Sequence, residues 1–143
     1  MALGDLYLAD KSAWEQARYD NRALERLVEL RDEGQLATCL VSTAEMLYSA
    51  RNVDAFARWR LDLASLSYLE MTPAAERHVI DVMSALALRG QHRTSIPDLI
   101  LAAIAHLHSA VVLHYDSDYE RIAEVTGQPQ EWIIPRGTGD RNN

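Results

Sequence analysis

Short, almost wholly apolar runs alternate along this chain with longer segments of helical periodicity, and that alternation leaves few folds open. The runs are Leu6-Tyr7-Leu8-Ala9, Leu36-Ala37-Thr38-Cys39-Leu40-Val41 and Val111-Val112-Leu113-His114, with briefer ones at residues 67–70 and 132–134. Between them the spacing predicts one or two helices over residues 14–33, then helices over 42–50, 53–64, 72–88, 97–107 and 117–125. The punctuation agrees. Gly34, Gly90 and Gly127 each follow a helical segment, and Thr72-Pro73 places a capping residue before a proline at the first helical position. Strands separated by helices of this length pair in parallel through right-handed crossovers. Strands with little polar alternation fit a sheet covered on both faces. The expected fold class is therefore α/β, three layers with a central parallel sheet of four to five strands.

Composition sets the remaining bounds. A chain of 143 residues, 48% hydrophobic, can bury one core. We expect a single domain over residues 1–136 and a disordered tail over 137–143, which is rich in Gly, Asp and Asn. No apolar run approaches a membrane span. Met1-Ala2-Leu3-Gly4-Asp5 has no basic region before a hydrophobic stretch, so a secretory signal is not expected. The one cysteine, Cys39, cannot form an internal disulfide and reads as a small core residue, which fits a cytoplasmic location. A net charge of -7 argues against non-specific coating of nucleic acid, because phosphate affinity comes from Lys and Arg. It leaves open an enzyme whose acids are neutralised by metal.

Four acids share a position in this pattern. Asp10 ends the first apolar run and Asp116 follows the run at 111–115. Glu45 comes a few residues after the second run, and Asp98 opens the apolar helical stretch Leu99-Ile100-Leu101-Ala102-Ala103-Ile104-Ala105. Ligands of open α/β sheets bind outside the carboxyl ends of the strands. Carboxylates gathered there repel unless they share protons or a cation, and hard oxygen donors select Mg²⁺ or Mn²⁺. The chemistry this points to is metal-assisted attack on a phosphodiester. Each acid also has a plain structural reading. Ser42-Thr43-Ala44-Glu45 matches a capping box, in which Glu45 would satisfy only a backbone N–H. Asp98 could simply favour a helix dipole, and Asp116 or Ser117 could be ordinary N-caps.

Other chemistries find no support. Counted from Asp116, an EF-hand loop would need glycine where Arg121 stands and Glu where Gly127 stands. The five histidines offer no ligand spacing, and there is no phosphate loop, dinucleotide-binding glycine motif or nucleophile elbow.

Taken in order, four segments resemble a PIN domain, and within that family a VapC-type toxin ribonuclease. They are Tyr7-Leu8-Ala9-Asp10-Lys11-Ser12-Ala13, Ser42-Thr43-Ala44-Glu45, Ile96-Pro97-Asp98-Leu99-Ile100-Leu101-Ala102-Ala103 and His114-Tyr115-Asp116-Ser117-Asp118-Tyr119-Glu120-Arg121-Ile122-Ala123. The resemblance covers about residues 5–135. It implies that Asp10, Glu45, Asp98 and Asp116 are catalytic, that Asp10, Asp98, Asp116 and Asp118 hold Mg²⁺ or Mn²⁺, and that Ser12 supports Asp10. It further implies an endoribonuclease, commonly dimeric, held inactive by a VapB-type antitoxin. Two positions depart from the pattern. His114 stands where a hydroxyl residue is common, and Lys11 where Thr is common. Readings that remain beside this one are a PIN-type nuclease of RNA maturation or DNA processing, and a non-catalytic interaction module.

Overall fold

The computed structural model describes residues 4–139. Twelve elements follow in order: β1 (Tyr7–Ala9), α1 (Lys11–Ala17), α2 (Asn21–Asp32), β2 (Leu36–Thr38), α3 (Leu40–Tyr48), α4 (Val53–Ala64), β3 (Ser67–Tyr68), α5 (Pro73–Ala87), α6 (Ile96–Leu107), β4 (Val111–His114), α7 (Asp118–Thr126) and β5 (Gln130–Trp132). The strands form one five-stranded sheet in the order β3-β2-β1-β4-β5, every neighbouring pair parallel. This is the α/β/α architecture expected from the alternation of strands and helices. Among the described residues, no helix is long and apolar enough to cross a membrane.

The period of two along each strand sorts its side chains to the two faces. Leu8, Ala37 and Val112 point to a core shared with α5, α6 and α7, which contribute Val79, Leu86, Leu101, Ile104 and Ile122. Ala9, Leu36 and Leu113 point the other way, onto Ala23, Leu27 and Leu30 of α2. Helix α6 is buried along Leu101–Ala105 and lies at the centre of the first core, as its nearly all-round apolar sequence requires. Gly34 ends α2 at φ +72°, where Gln35 N–H reaches back to Leu30 O at 2.8 Å, a left-handed closure that glycine adopts without strain.

Several boundaries differ from expectation: α1 starts at Lys11 instead of residue 14, and β3 ends at Tyr68 instead of residue 70. The second strand stops at Thr38 instead of Val41, because α3 begins at Leu40 with Cys39 as its N-cap rather than at Ser42. Ser42 thus falls inside the first turn, where its hydroxyl accepts from Cys39 N–H at 3.3 Å. The last strand is Gln130–Trp132, two residues earlier than its apolar run at 132–134, since pairing with β4 sets its register: Leu113 faces Glu131 and His114 faces Trp132. Of the segment 137–143, residues 140–143 lie outside the described residues. Gly137 and Gly139 N–H both donate to the Tyr115 hydroxyl, at 3.0 and 2.9 Å.

Candidate active site

Strands β1 and β4 are neighbours at the middle of the sheet, so Asp10 and Asp116, just past their carboxyl ends, are brought together by topology alone. Asp10 caps α1. Its Oδ2 accepts from Ser12 N–H at 3.1 Å and from the Ser12 hydroxyl at 2.6 Å. The same hydroxyl oxygen accepts from Tyr115 N–H at 2.9 Å. Ser12 therefore ties Asp10 to the segment that carries Asp116. Asp116 Oδ1 in turn accepts from Asp118 N–H at 2.9 Å, which turns the chain into α7. Asp98 sits in the first turn of α6, 7% exposed, and its Oδ1 accepts from the Tyr119 hydroxyl at 3.1 Å. The N-termini of α1, α6 and α7 thus converge here, and their dipoles favour negative charge.

Carboxylate oxygens of Asp98, Asp116 and Asp118 all lie within 4.8 Å of one another. The crowding shows in the electrostatics. Burial first, then the charge of Asp10 and the proximity of Asp118 and Asp116, push the Asp98 carboxyl up to about 8. Two nearby carboxylates cannot both ionise cheaply without a proton or cation between them. Three convergent hard oxygen donors, one of them protonated near neutral pH for want of a counter-charge, fit Mg²⁺ or Mn²⁺. Arg121 supplies part of the missing positive charge, with Nη1 2.8 Å from Asp118 Oδ1.

Glu45 is not a capping residue. The shift of the α3 start to Leu40 puts it in the second turn, away from the helix terminus, and its Oε1 is buried without a hydrogen-bond partner. Burial, then Asp10, raises its pKa; Glu15 adds to this and Lys11 opposes it. Glu45 thus adjoins the cluster through Asp10. Lys11 forms an ion pair with Glu15 at 3.4 Å.

His114 resolves the departure noted in the sequence. Its Nδ1 accepts from Asp116 N–H at 3.0 Å, so the other nitrogen, Nε2, carries the proton and donates to Gln130 Oε1 at 2.5 Å. The imidazole is fully buried, and burial lowers its pKa against the opposing pull of Gln130 and the nearby acids. A neutral ring thus serves as the acceptor a hydroxyl would have been. Two residues escaped the sequence reading. Arg121 reads as one more surface cation, and Tyr119 reads as part of the apolar face of α7. The spacing of three from Asp118 to Arg121, which places an acid and a base side by side on a helix, was the available signal for the first.

The PIN domain family matches residues 7–125, a span that contains all of these acids. The chain belongs to the PIN-domain family. Among PIN relatives it is 40% identical over 135 residues to ribonuclease VapC51 of Mycobacterium tuberculosis, covering 94% of this chain and 97% of that protein. It is 38% identical over 136 residues to ribonuclease VapC21 of the same organism, covering 92% and 96%. These place it in the VapC branch of the family. Solved structures share the fold at lower identity. DNA-bound VapBC from Salmonella typhimurium matches with a TM-score of 0.72 at 17% identity, over 92% of this chain and 100% of that one. VapBC2 from Rickettsia felis, bound to a promoter DNA fragment, matches with a TM-score of 0.73 at 15% identity, over 89% and 98%.

Proposed function

We propose that this protein is a divalent-metal-dependent endoribonuclease and the toxin of a type II toxin–antitoxin pair, whose RNA cleavage blocks translation and growth. The observation that carries this is the trio Asp98, Asp116 and Asp118, with oxygens within 4.8 Å, at the strand ends of a PIN fold. The relatives named as VapC ribonucleases support the substrate class, and the VapBC complexes among the structural neighbours support a VapB-type antitoxin as partner.

In this reading the trio would hold Mg²⁺ or Mn²⁺, with Asp10 completing the set. A bound ion would supply a Lewis acid for the phosphate and a water of lowered pKa. The chain does the rest. Ser12 fixes the orientation of Asp10, and His114 fixes the turn that presents Asp116. Glu45, raised above its ordinary pKa by burial and by Asp10, is suited to accept the proton of an attacking water, since a more basic carboxylate is the better proton acceptor. The acid cluster would attract a cation from the antitoxin, an Arg or Lys competing with the metal for the same oxygens. The test is to incubate the purified protein with total RNA and Mg²⁺ or Mn²⁺ and to sequence the cleavage ends. Discrete new ends that vanish with a chelator are expected; cleavage unaffected by the chelator overturns the metal reading.

A homodimer belongs to the same proposal. Tyr48, Val53 and Leu61 on α3 and α4 are 91%, 77% and 74% exposed, and apolar surface gathered on adjoining helices marks an interface. Light scattering at micromolar concentration should give twice the 16.1 kDa chain mass. The monomer mass would reject it.

A further inference from the structure

Tyr119 is the largest fully buried side chain among the described residues, at 2% exposure. It occupies α7 one residue after Asp118 and directs its hydroxyl away from the apolar core, into the acid cluster. There the O–H donates to Asp98 Oδ1 at 3.1 Å. The phenol also lies against Asp10. A buried phenol with two acids beside it has one productive arrangement, which is to give its single proton to one of them.

The ring cannot swing away. Its ring centroid lies 4.9 Å from that of His114 at a tilt of 39°, and the His114 centroid lies 4.9 Å from that of Trp132 at a tilt of 59°. His114 is itself pinned by Gln130 and by Asp116 N–H. Gln130 and Trp132 are in β5 at the sheet edge. A continuous run of tilted ring contacts thus leads from that edge through His114 to Tyr119, and ends on one oxygen of Asp98. Tyr119 supplies the side-chain hydroxyl bonded to Asp98 among the described residues.

We propose that Tyr119 is a positioning residue for the metal site, holding the Asp98 carboxylate by one oxygen so that the group meets Asp116 and Asp118 in a single orientation. This rests on the metal reading of the trio given above. Partners that orient a ligand commonly contribute about 10- to 100-fold in metal affinity or activity.

The experiment uses Tyr119→Phe, which keeps the ring and its packing and removes only the donor. Mn²⁺ affinity is measured by calorimetry on the wild type and on the variant, each first shown to be folded by its metal-free melt. The expected result is a Kd about 10-fold weaker in Tyr119→Phe, with RNA cleavage at low Mn²⁺ falling in parallel and recovering towards wild type as Mn²⁺ is raised. A purely structural role would lower the melting temperature and leave the Mn²⁺ affinity unchanged. In an Asp98→Asn background the added Tyr119→Phe change should cost no further affinity, because the hydroxyl acts through Asp98. Equal Mn²⁺ affinity in wild type and Tyr119→Phe overturns this inference while leaving the metal site standing. Absence of saturable Mn²⁺ binding by the wild type overturns both.

Discussion

Helices α5 and α6 pack side by side, with His78 of one stacked on His106 of the other at 4.4 Å, and they open with nearly the same signal. At α5 it is Thr72-Pro73, with Glu76 in the first turn; at α6 it is Ser95-Ile96-Pro97, with Asp98 in the first turn. The outcomes diverge. Thr72 Oγ1 accepts from Ala75 N–H at 3.1 Å, and Glu76 is exposed. Ser95 makes no side-chain cap bond, and Asp98 is buried, bonded to a side chain of another helix and pushed up to about 8. One terminus satisfies itself; the other gives up its local bond and carries an acid with no counter-charge. Local rules for helix starts describe the first completely and the second only in outline, and such violations concentrate at functional sites.

The sharpest way to break this contrast is to neutralise each acid in turn. Asp98→Asn should lower RNA cleavage by at least about 100-fold, the scale on which single electrostatic groups of an active site act, while the protein still folds. Glu76→Gln should leave cleavage unchanged. Rates are compared at saturating Mg²⁺ or Mn²⁺. Wild-type activity in Asp98→Asn would return Asp98 to the same class as Glu76 and end the metal-site reading.

Stability against pH sharpens the same contrast. Asp98 has a folded-state pKa of about 8 against an ordinary 3.8, so folding favours its protonated form. Its contribution is fully present below the unfolded value and is lost as pH rises through the folded one. Glu45, also raised, acts in the same direction. These two acids lower the metal-free melting temperature as pH is raised from about 4 towards 8, while His114, whose pKa burial depresses, acts the other way; Asp98→Asn should therefore lessen any fall across this range. Mn²⁺ should reverse it, since an ion that binds only the folded state adds about 2.7 kcal/mol at 100 times its Kd. The gain should grow with pH, because the ligands must lose their protons. Thermal melts of both proteins with and without Mn²⁺ across this range check these statements. An equal Mn²⁺ gain in Asp98→Asn would mean that the ion binds elsewhere.

Most of this architecture was legible in the residues because periodicity reports burial directly. The apolar runs at 6–9 and 111–114 became β1 and β4, and α4 runs over Val53–Ala64 as its spacing indicates. What failed was the second run, where Leu40 and Val41 look like strand yet belong to α3. A strand and the first turn of a buried helix present the same apolar letters, and only the cap geometry at Cys39 separates them. That error carried into Glu45. With the helix started at Ser42, a capping box was available to it; with the start at Leu40, it is not. The acids themselves could be found because strand ends are where a parallel sheet gathers side chains. Tyr119 could not, since whether a helix turns a phenol towards its apolar core or towards a neighbour's carboxylate depends on packing that no spacing along the chain encodes.

The smallest expected effect concerns the caps alone. Thr72→Ala should destabilise by about 1 kcal/mol, the usual loss when a hydroxyl N-cap is removed. Ser95→Ala should stay within about 0.5 kcal/mol, because its hydroxyl makes no cap bond to lose. The first turn of α6 is fixed instead by Pro97, by the burial of Leu99 and Leu101, and by the hold of Tyr119 on Asp98. Urea denaturation midpoints of the two variants, read at constant slope, make the comparison directly. Should Ser95→Ala cost as much as Thr72→Ala, the hydroxyl would be capping α6 after all. The two helix starts would then differ only in where their acids point, and the burial of Asp98 alone would separate a functional terminus from a structural one.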